Sequence, residues 1–487
     1  MSGPILTAAQ MRSAEQVLIA AGTSVDELMQ RAGRGAADYV WRLSGGRAIT
    51  VLCGPGNNGG DGYVIAEVIR ERGGEVRVIA AAEPATAAAH TARAGYGGTV
   101  LGPEAVVRGE VFVDCLFGTG LTRRLSAEHF ALLERLAANH HLRVAIDLPS
   151  GVDADLGLPL GRELLGYDLT LALGALKFAH VLMPAAATMG ALRLVPIGVT
   201  APPGAARLIG QPHLTAPAAD AHKYSRGLLA VIGGAMPGAA VLAARAAQGA
   251  GAGYVKLLVG GGARASAGSV RAGAFSDSAQ SELVEGHALP ADLVADTTDL
   301  ADALTDRRLD AVLIGPGLGR GGTARERLAM ALSEPIPAVL DADALVLLAP
   351  RSLAERAAPV IATPHEGELL ALERAFDLDG TGTKVERAVA LARISGMVVV
   401  AKGADSVVAA PGGRIACAGR ATSWLSTAGT GDVLAGIIAS RLASGADPFT
   451  AACDGLWLHA EAARLCPSVF AAAQLAAAVP SAYAHCL

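Results

Sequence analysis

The chain has 487 residues, too many for one ordinary hydrophobic core and enough for two domains of comparable size. Lys plus Arg number 40 against 45 Asp plus Glu, and the net charge of -5 excludes a general nucleic-acid binder, which would carry a basic stripe. Hydrophobic residues make up 52% and the mean hydropathy is +0.41, which raises the question of a membrane protein. The uncharged run between Arg226 and Arg245 just reaches the ~18 residues a span needs, but Gly233, Gly234, Pro237 and Gly238 break it into a strand, a turn and a helix. No membrane or nucleic-acid partner is therefore expected.

The opening MSGPILTAAQMRSAEQ has no basic segment followed by an apolar core, so no signal peptide is expected. Cys53, Cys115, Cys417, Cys453, Cys466 and Cys486 are scattered without a C-x-x-C pair or zinc-ligand spacing, and read as reduced thiols filling a cytoplasmic protein's core. Short runs rich in Val, Ile and Leu recur between helical segments, the pattern of a mainly parallel, doubly covered sheet. Strands are expected over 48–53, 76–81, 111–116, 143–148, 169–173 and 192–197. A stretch with Pro202, Pro203, Pro212 and Pro217 follows, and a domain boundary falls near 208–220. Beyond it strands are expected over 228–232, 254–259, 311–314, 338–340, 360–362, 398–401 and 406–409. The fold class is α/β throughout.

After the first of these strands comes GPGNNGGDG, where glycines let backbone amides at a helix N-terminus meet an anion closely. A purely structural turn does not need Asn57, Asn58 and Asp61 there. It is neither G-x-G-x-x-G nor a Walker A motif. VDCLFGTGL places Asp114, Gly118, Thr119 and Gly120 at a second strand end, and DLPSGVDAD places Asp147, Ser150 and Gly151 at a third. Ligands of open α/β sheets bind at the carboxyl ends of strands, so one crevice can gather all three loops. Asp114 lies in an apolar strand and needs a partner, which a monovalent cation would supply. Lys177 reads equally as a substrate contact or a snorkelling side chain.

These three stretches resemble the YjeF N-terminal domain family, the NAD(P)H-hydrate epimerases, over about residues 1–205. The resemblance implies a Rossmann-like fold that interconverts the R and S epimers of hydrated NADH and NADPH. It implies substrate contacts at Asn57, Asn58, Gly59, Gly60, Asp61, Gly118, Thr119, Gly120, Leu121, Thr122, Arg123 and Arg124. It further implies a potassium ion on Asn58, Asp114 and Ser150, and Asp147 binding the hydrated ring and doing acid–base work at C6.

In the second half, STAGTGDVLAGIIASRL leads from a loop with Gly429 and Gly431 into a long apolar helix, a nest of N–H donors suited to phosphate. Asp432 stands in that helix's first turn, either as an ordinary N-terminal acid or as a base for a substrate hydroxyl. GPGLG, DADAL and TPHEGE add Gly317, Asp341, Asp343, His365 and Glu368 at strand ends, His365 being structural or catalytic. KGADS adds Lys402 and Gly403, a cation and free amides for a nucleotide phosphate.

These stretches are similar to the ribokinase-like fold in its ADP- or ATP-dependent NAD(P)H-hydrate dehydratase branch, over about 215–480. The resemblance implies Gly238, Ala239, Gly317, His365 and Asp432 at the hydrated ring. Lys402, Gly403, Ala404, Asp405, Ser406, Gly429 and Gly431 would bind the nucleotide, and Mg2+ would accompany ADP. Ser406 departs from a common Thr but keeps the hydroxyl.

The combined expectation is an epimerase domain at 1–208, a linker at 209–220 and an ADP-dependent dehydratase domain at 221–487. The chain would be a cytoplasmic homo-oligomer acting on NADHX, NADPHX and ADP. Two other readings compete: a ribokinase-like small-molecule kinase of the hydroxymethylpyrimidine or hydroxyethylthiazole kind with an accessory N-terminal domain, and an N-terminal domain that binds without catalysing.

Overall fold

The structure, a computed structural model, describes residues 3–161, 164–259 and 290–487. The chain divides into two compact units, Met1–Leu208 and Ile209–Leu487. Among the described residues no helix is long and apolar enough to cross a membrane.

In the first unit the central sheet runs in the order β4 (Val100–Leu101), β3 (Val76–Ala80), β2 (Ile49–Cys53), β5 (Gly109–Cys115), β6 (His140–Ile146), β7 (Leu169–Leu173), β9 (Ala191–Val195). Every neighbouring pair is parallel. From β2 the chain winds outward through β3 and β4, then returns to the other side of β2 with β5. The point where the strand order reverses lies between β2 and β5, where open α/β sheets leave a crevice at the carboxyl ends.

Three further strands form a small set apart: β1 (Gly3–Leu6) pairs antiparallel with β10 (Ala206–Leu208) and parallel with β8 (Leu176–Lys177). Helix α1 (Ala8–Ala20) opens with a capping box in which Thr7 and Gln10 satisfy each other's backbone amides. Helix α2 (Val25–Ser44) is capped by Ser24, carries Asp26 and Glu27 in its first turn, and ends at Gly45 in the left-handed region. It packs on α3 (Asn57–Glu71), and the two bury Ala32, Ala36, Val40, Val64, Ile65 and Val68 over β2 and β5.

In the second unit the order is β13 (Val294–Asp296), β12 (Tyr254–Leu258), β11 (Leu228–Ile232), β14 (Ala311–Ile314), β15 (Ala338–Leu340), β16 (Val360–Ala362), β17 (Val398–Ala401), β18 (Val407–Ala409), β19 (Ile415–Cys417). Strands β13 to β17 are parallel, and β18 and β19 add an antiparallel edge. This sheet also reverses order, between β11 and β14. One face is covered by α6 (Pro237–Gly249) and the helices Thr430–Ala443 and Pro448–Leu465, whose Ala-rich sides allow close approach to the strands.

The apolar runs coincide with β7, β11, β14, β15, β16 and β17 residue for residue. Strands β5 and β6 start two and three residues before the expected 111 and 143, because their ladder runs back to the Gly109–His140 pair, beyond the apolar run. Strands β1, β4, β8, β10, β13 and β19 are two to four residues long and leave no readable run. Residues 209–220 hold no helix or strand, yet Leu214 is buried and its amide donates to the Cys486 carbonyl.

Candidate active sites

The first site sits at the reversal between β2 and β5. The loop after β2 turns directly into α3, which places Asn57 and Asn58 in its first turn and Asp61 one turn on. The turn is possible only with glycine: a Cβ on Gly59 would lie 1.8 Å from the Gly54 carbonyl oxygen, and one on Gly60 would lie 2.5 Å from Met29. Gly59 and Gly60 thus serve packing, and they do not line the cavity. That cavity has a volume of about 650 Å³ and is walled by Asn57, Asn58, Asp61, Gly118, Thr119, Gly120, Leu121, Asp147, Lys177 and one face of α1. Thr122, Arg123 and Arg124 continue beyond Leu121 and do not line it.

Asp147 follows β6 with φ of 65°, a left-handed conformation that Asp tolerates better than most residues. The loop is held from below by His180, whose Nδ1 accepts from the Lys177 amide at 2.8 Å, which leaves Nε2 to donate to the Asp147 carbonyl at 2.7 Å. Burial, then the Lys177 charge, push that imidazole down to about 4, so it stays neutral. Lys177 is 1% exposed, and its ammonium donates to Asp147 Oδ1 at 2.5 Å and to the Leu173 carbonyl at 2.8 Å. It is therefore not snorkelling: it lines the cavity as the buried counter-ion of Asp147. The amide of Thr119 donates to Asp147 Oδ2 at 2.9 Å, and its hydroxyl donates to the same oxygen. Burial alone would raise the affinity of Asp147 for a proton, but Lys177 and Thr119 outweigh it and hold the carboxylate at about 2. Gly118 has to be glycine here, since a Cβ would come within 2.9 Å of Asp147 Oδ2.

Two other carboxyl groups face this ion pair. Burial first, then repulsion from Asp147 and Glu15, push Asp61 well above the carboxylate range. Glu15, on α1, was not singled out in the sequence; its signal is the spacing from Met11, one helical turn away on the same buried face.

Asp114, fully buried in β5, is held by four neutral hydrogen-bond donors, while burial raises its proton affinity. Its Oδ1 accepts from the Leu116 amide at 3.0 Å and the Ser150 hydroxyl at 2.8 Å; its Oδ2 accepts from the Ser150 amide at 3.0 Å and the Tyr167 hydroxyl at 2.5 Å. Asn58 differs: among the described residues neither polar atom of its buried amide has a hydrogen-bond partner.

The second site lies at the carboxyl ends of the other sheet. Gly429, at φ of 89°, caps the helix Thr430–Ala443 and turns Asp432 into its first turn. Burial, then the Asp341 charge, raise Asp432 to about 6, with Lys402 opposing and Glu368 assisting. Lys402 follows β17 and its ammonium donates to Asp341 Oδ1 at 2.6 Å, which also accepts from the Thr363 hydroxyl at 2.7 Å. Gly431 lies beside that ammonium, since a Cβ there would sit 3.5 Å from it. Asp432, Gly431, Lys402 and Asp341 thus form one group. Ser406 and Gly403 close a tight turn, the Gly403 amide donating to Ser406 Oγ at 3.1 Å, while Asp405 pairs with Lys384.

Gly317 and the start of α6 form a second group: the Met236 amide donates to the Gly317 carbonyl at 2.8 Å, which sets Gly238 and Ala239 beside that loop. His365 caps the helix Glu366–Ala375, its Nδ1 accepting from the Gly367 amide at 3.0 Å, while Glu368 accepts from the His365 amide at 2.8 Å. Its ring is 62% exposed, and Nε2 lies 3.4 Å from Glu368 Oε1. Asp343 is engaged by the Gly319 amide at 2.9 Å and by Arg320 at 2.7 Å.

Two mainly parallel α/β units, each with glycine-rich loops, an ion pair and a perturbed carboxyl at the carboxyl ends of its strands, define a two-domain enzyme, Rossmann-like first and ribokinase-like second. A family model described as YjeF-related protein N-terminus matches residues 25–179, and one described as NAD(P)H-hydrate dehydratase matches 229–482. The bifunctional NAD(P)H-hydrate repair enzyme Nnr of Salinibacter ruber is 35% identical over 508 residues, covering 94% of this chain and 91% of that protein. Its namesake from Moorella thermoacetica is 33% identical, with 89% and 87% covered. A solved structure described as an ADP/ATP-dependent NAD(P)H-hydrate dehydratase from Bacillus subtilis, co-crystallised with ATP/Mg2+, is 26% identical over 56% of this chain and 95% of that one, with a TM-score of 0.46. The chain belongs to the family of bifunctional NAD(P)H-hydrate repair enzymes.

Proposed function

We propose that the first unit interconverts the R and S epimers of hydrated NADH and NADPH, and that the second dehydrates the S epimer with ADP, releasing AMP and phosphate. The observation that carries this reading is Asp432: a carboxyl held at about 6 in the first turn of a helix whose amides suit a phosphate, beside Lys402. A base with this affinity is ionised at neutral pH and still takes a proton readily. Asp432 would remove the proton of the C6 hydroxyl while that oxygen attacks the β-phosphorus of ADP and AMP departs. Loss of phosphate from C6 and of a proton from C5 then restores the dihydronicotinamide double bond. Lys402, Gly403, Ala404, Asp405, Ser406, Gly429 and Gly431 would hold the nucleotide, and Gly238, Ala239, Gly317 and His365 the hydrated ring. Mg2+ would arrive on the phosphates of ADP, as this ion usually does. Asp341 and Asp405 are already paired with lysines, and no metal-holding cluster of His, Cys, Asp and Glu occurs among the described residues.

In the first unit, Asn57, Asn58, Asp61, Gly118, Thr119, Gly120 and Leu121 would line the substrate. Asp147, ionised and anchored, is suited to accept the C6 hydroxyl hydrogen bond and to stabilise positive charge on the ring; it is poorly suited to deliver a proton. Potassium fits the unpaired amide oxygen of Asn58, with Asp114 and Ser150 beside it in the donor set. When bound it would supply a fixed positive charge that orders the loops. Domains at 1–208 and 221–487 joined over 209–220, and a cytoplasmic homo-oligomer, complete the reading. The test is a pair of variants: Asp147→Ala should lose epimer interconversion and keep dehydration of the S epimer, and Asp432→Ala should do the reverse while still binding ADP. Loss of both activities in either variant would remove the division of labour.

A further inference from the structure

Epimerisation at a carbon bearing both a ring nitrogen and a hydroxyl requires the hydroxyl to leave, and hydroxide leaves poorly unless it is protonated. The first unit offers three carboxyl groups for that task, and they are not equivalent. Asp147 has Oδ1 on Lys177 and Oδ2 on Thr119, and Lys177 keeps it ionised. Asp61 also lines the cavity, but at 7% exposed it is deeper than Glu15 and less readily reloaded from solvent. Glu15 differs from both. It lines the cavity, is only half-buried, and its carboxyl makes no hydrogen bond or ion pair among the described residues.

Its helix is firmly placed. Thr7 and Gln10 cap α1, the Ala8 amide donates to Asp155 Oδ1 at 2.7 Å, and Met11 and Ala14 are buried beneath it. Met11 and Glu15 are one turn apart, so the buried Met11 fixes Glu15 toward the cavity. The charged groups around Glu15 are Arg12 on its own helix, Lys177 and Asp147 beyond β6 and β7, and Asp61 on α3. Burial first, partly offset by Lys177, and then the Asp147 charge raise Glu15 above its ordinary 4.5, while Arg12 opposes.

We propose that Glu15 is the catalytic proton carrier of the epimerase site, an assignment that rests on the epimerase reading above. The C6–O bond breaks, the oxygen keeps the electron pair and takes the Glu15 proton, and water departs. The ring is left as a planar cation with a double bond between N1 and C6, stabilised by the Asp147 carboxylate. Water adds to the opposite face of C6, and the proton it releases returns to the Glu15 carboxylate through the water of the cavity. No oxidant or reductant is consumed.

The test uses the full-length protein and a hydrated NADH preparation enriched in one epimer, without nucleotide, following the epimer ratio by chromatography. Relative to the wild type, Glu15→Gln should lower kcat by about 100-fold or more with KM within about 3-fold, the range for losing a general acid. Wild-type activity should fall as pH rises through the Glu15 titration, and this alkaline limb should be missing in Glu15→Gln. Glu15→Asp should retain part of the rate. ADP-dependent dehydration of the S epimer should be unchanged in both variants, and wild-type hydrogen-exchange protection over β6 and β7 shows that their first unit is folded. In oxygen-18-labelled water the wild type should place label at C6 as fast as it epimerises. Interconversion by Glu15→Gln within about 3-fold of wild type, an unchanged pH limb, or epimerisation without label overturns the proposal while leaving the epimerase reading intact. A wild-type protein that leaves the ratio at its spontaneous rate overturns both.

Discussion

Replacing Lys177 by Met removes the counter-ion of Asp147 while keeping most of the buried volume. Lys177 is 1% exposed and donates to Asp147 at 2.5 Å, so the substitution strands a carboxylate rather than a surface charge. In the folded protein Asp147 titrates at about 2, against an ordinary 3.8. That difference of nearly two pH units, at ~1.4 kcal/mol each, amounts to about 2–3 kcal/mol of stability in the wild type. Removing one partner of a buried pair costs ~3–5 kcal/mol, so about 3 kcal/mol is the expected loss at neutral pH. Because the folded value is depressed, the contribution is fully present above pH ~4 and fades as pH falls toward 2. The penalty of Lys177→Met should therefore shrink on acidification. Hydrogen exchange read by mass spectrometry over β6, β7 and β8 reports on the first unit alone. Protection there should drop by about 100-fold at pH 7, since each ~1.4 kcal/mol is tenfold, and by much less near pH 3. Protection within about 3-fold of wild type at pH 7, or the same loss at both pH values, would refute the ion-pair argument.

Other outcomes follow from the same geometry. Dehydration should rise with pH through about 6 as Asp432 loses its proton to become the base, and a steady-state kcat profile in ADP checks this. A flat profile between pH 5 and 8 would remove Asp432 from that role. Asn58→Leu keeps the helix position but removes the unpaired amide oxygen, and epimerisation should then lose its response to added potassium while dehydration is unaffected. A potassium response equal to wild type would place the cation elsewhere.

Much of the architecture was legible because buried parallel strands leave continuous apolar runs, as in β7 and β11, where expectation and structure share both ends. The loops that carry Asn58, Asp61, Asp147 and Asp432 were legible for a related reason: polar side chains among glycines at a strand end have no packing role to explain them. Pairing between distant residues was not legible. Nothing local in VDC shows that Asp114 would meet Tyr167 and Ser150, or that Lys177 would reach back to Asp147 across β7. Gly59 and Gly60 look like phosphate-cradle residues in sequence, yet they are consumed by contact with Gly54 and Met29. Glu15 was hidden because α1 reads as an ordinary capped surface helix, and only its packing over the crevice gives the carboxyl a task.

In the proposed function the two units act in sequence on one substrate pool. The most direct measurement supplies a mixture of both epimers of hydrated NADH with ADP and follows the near-ultraviolet absorbance of the dihydronicotinamide. Recovery of the whole mixture as NADH, with one AMP and one phosphate formed per NADH, is the predicted result. A stable phosphorylated product with no recovery of that absorbance, or recovery that stops when only the S epimer is spent, would contradict it.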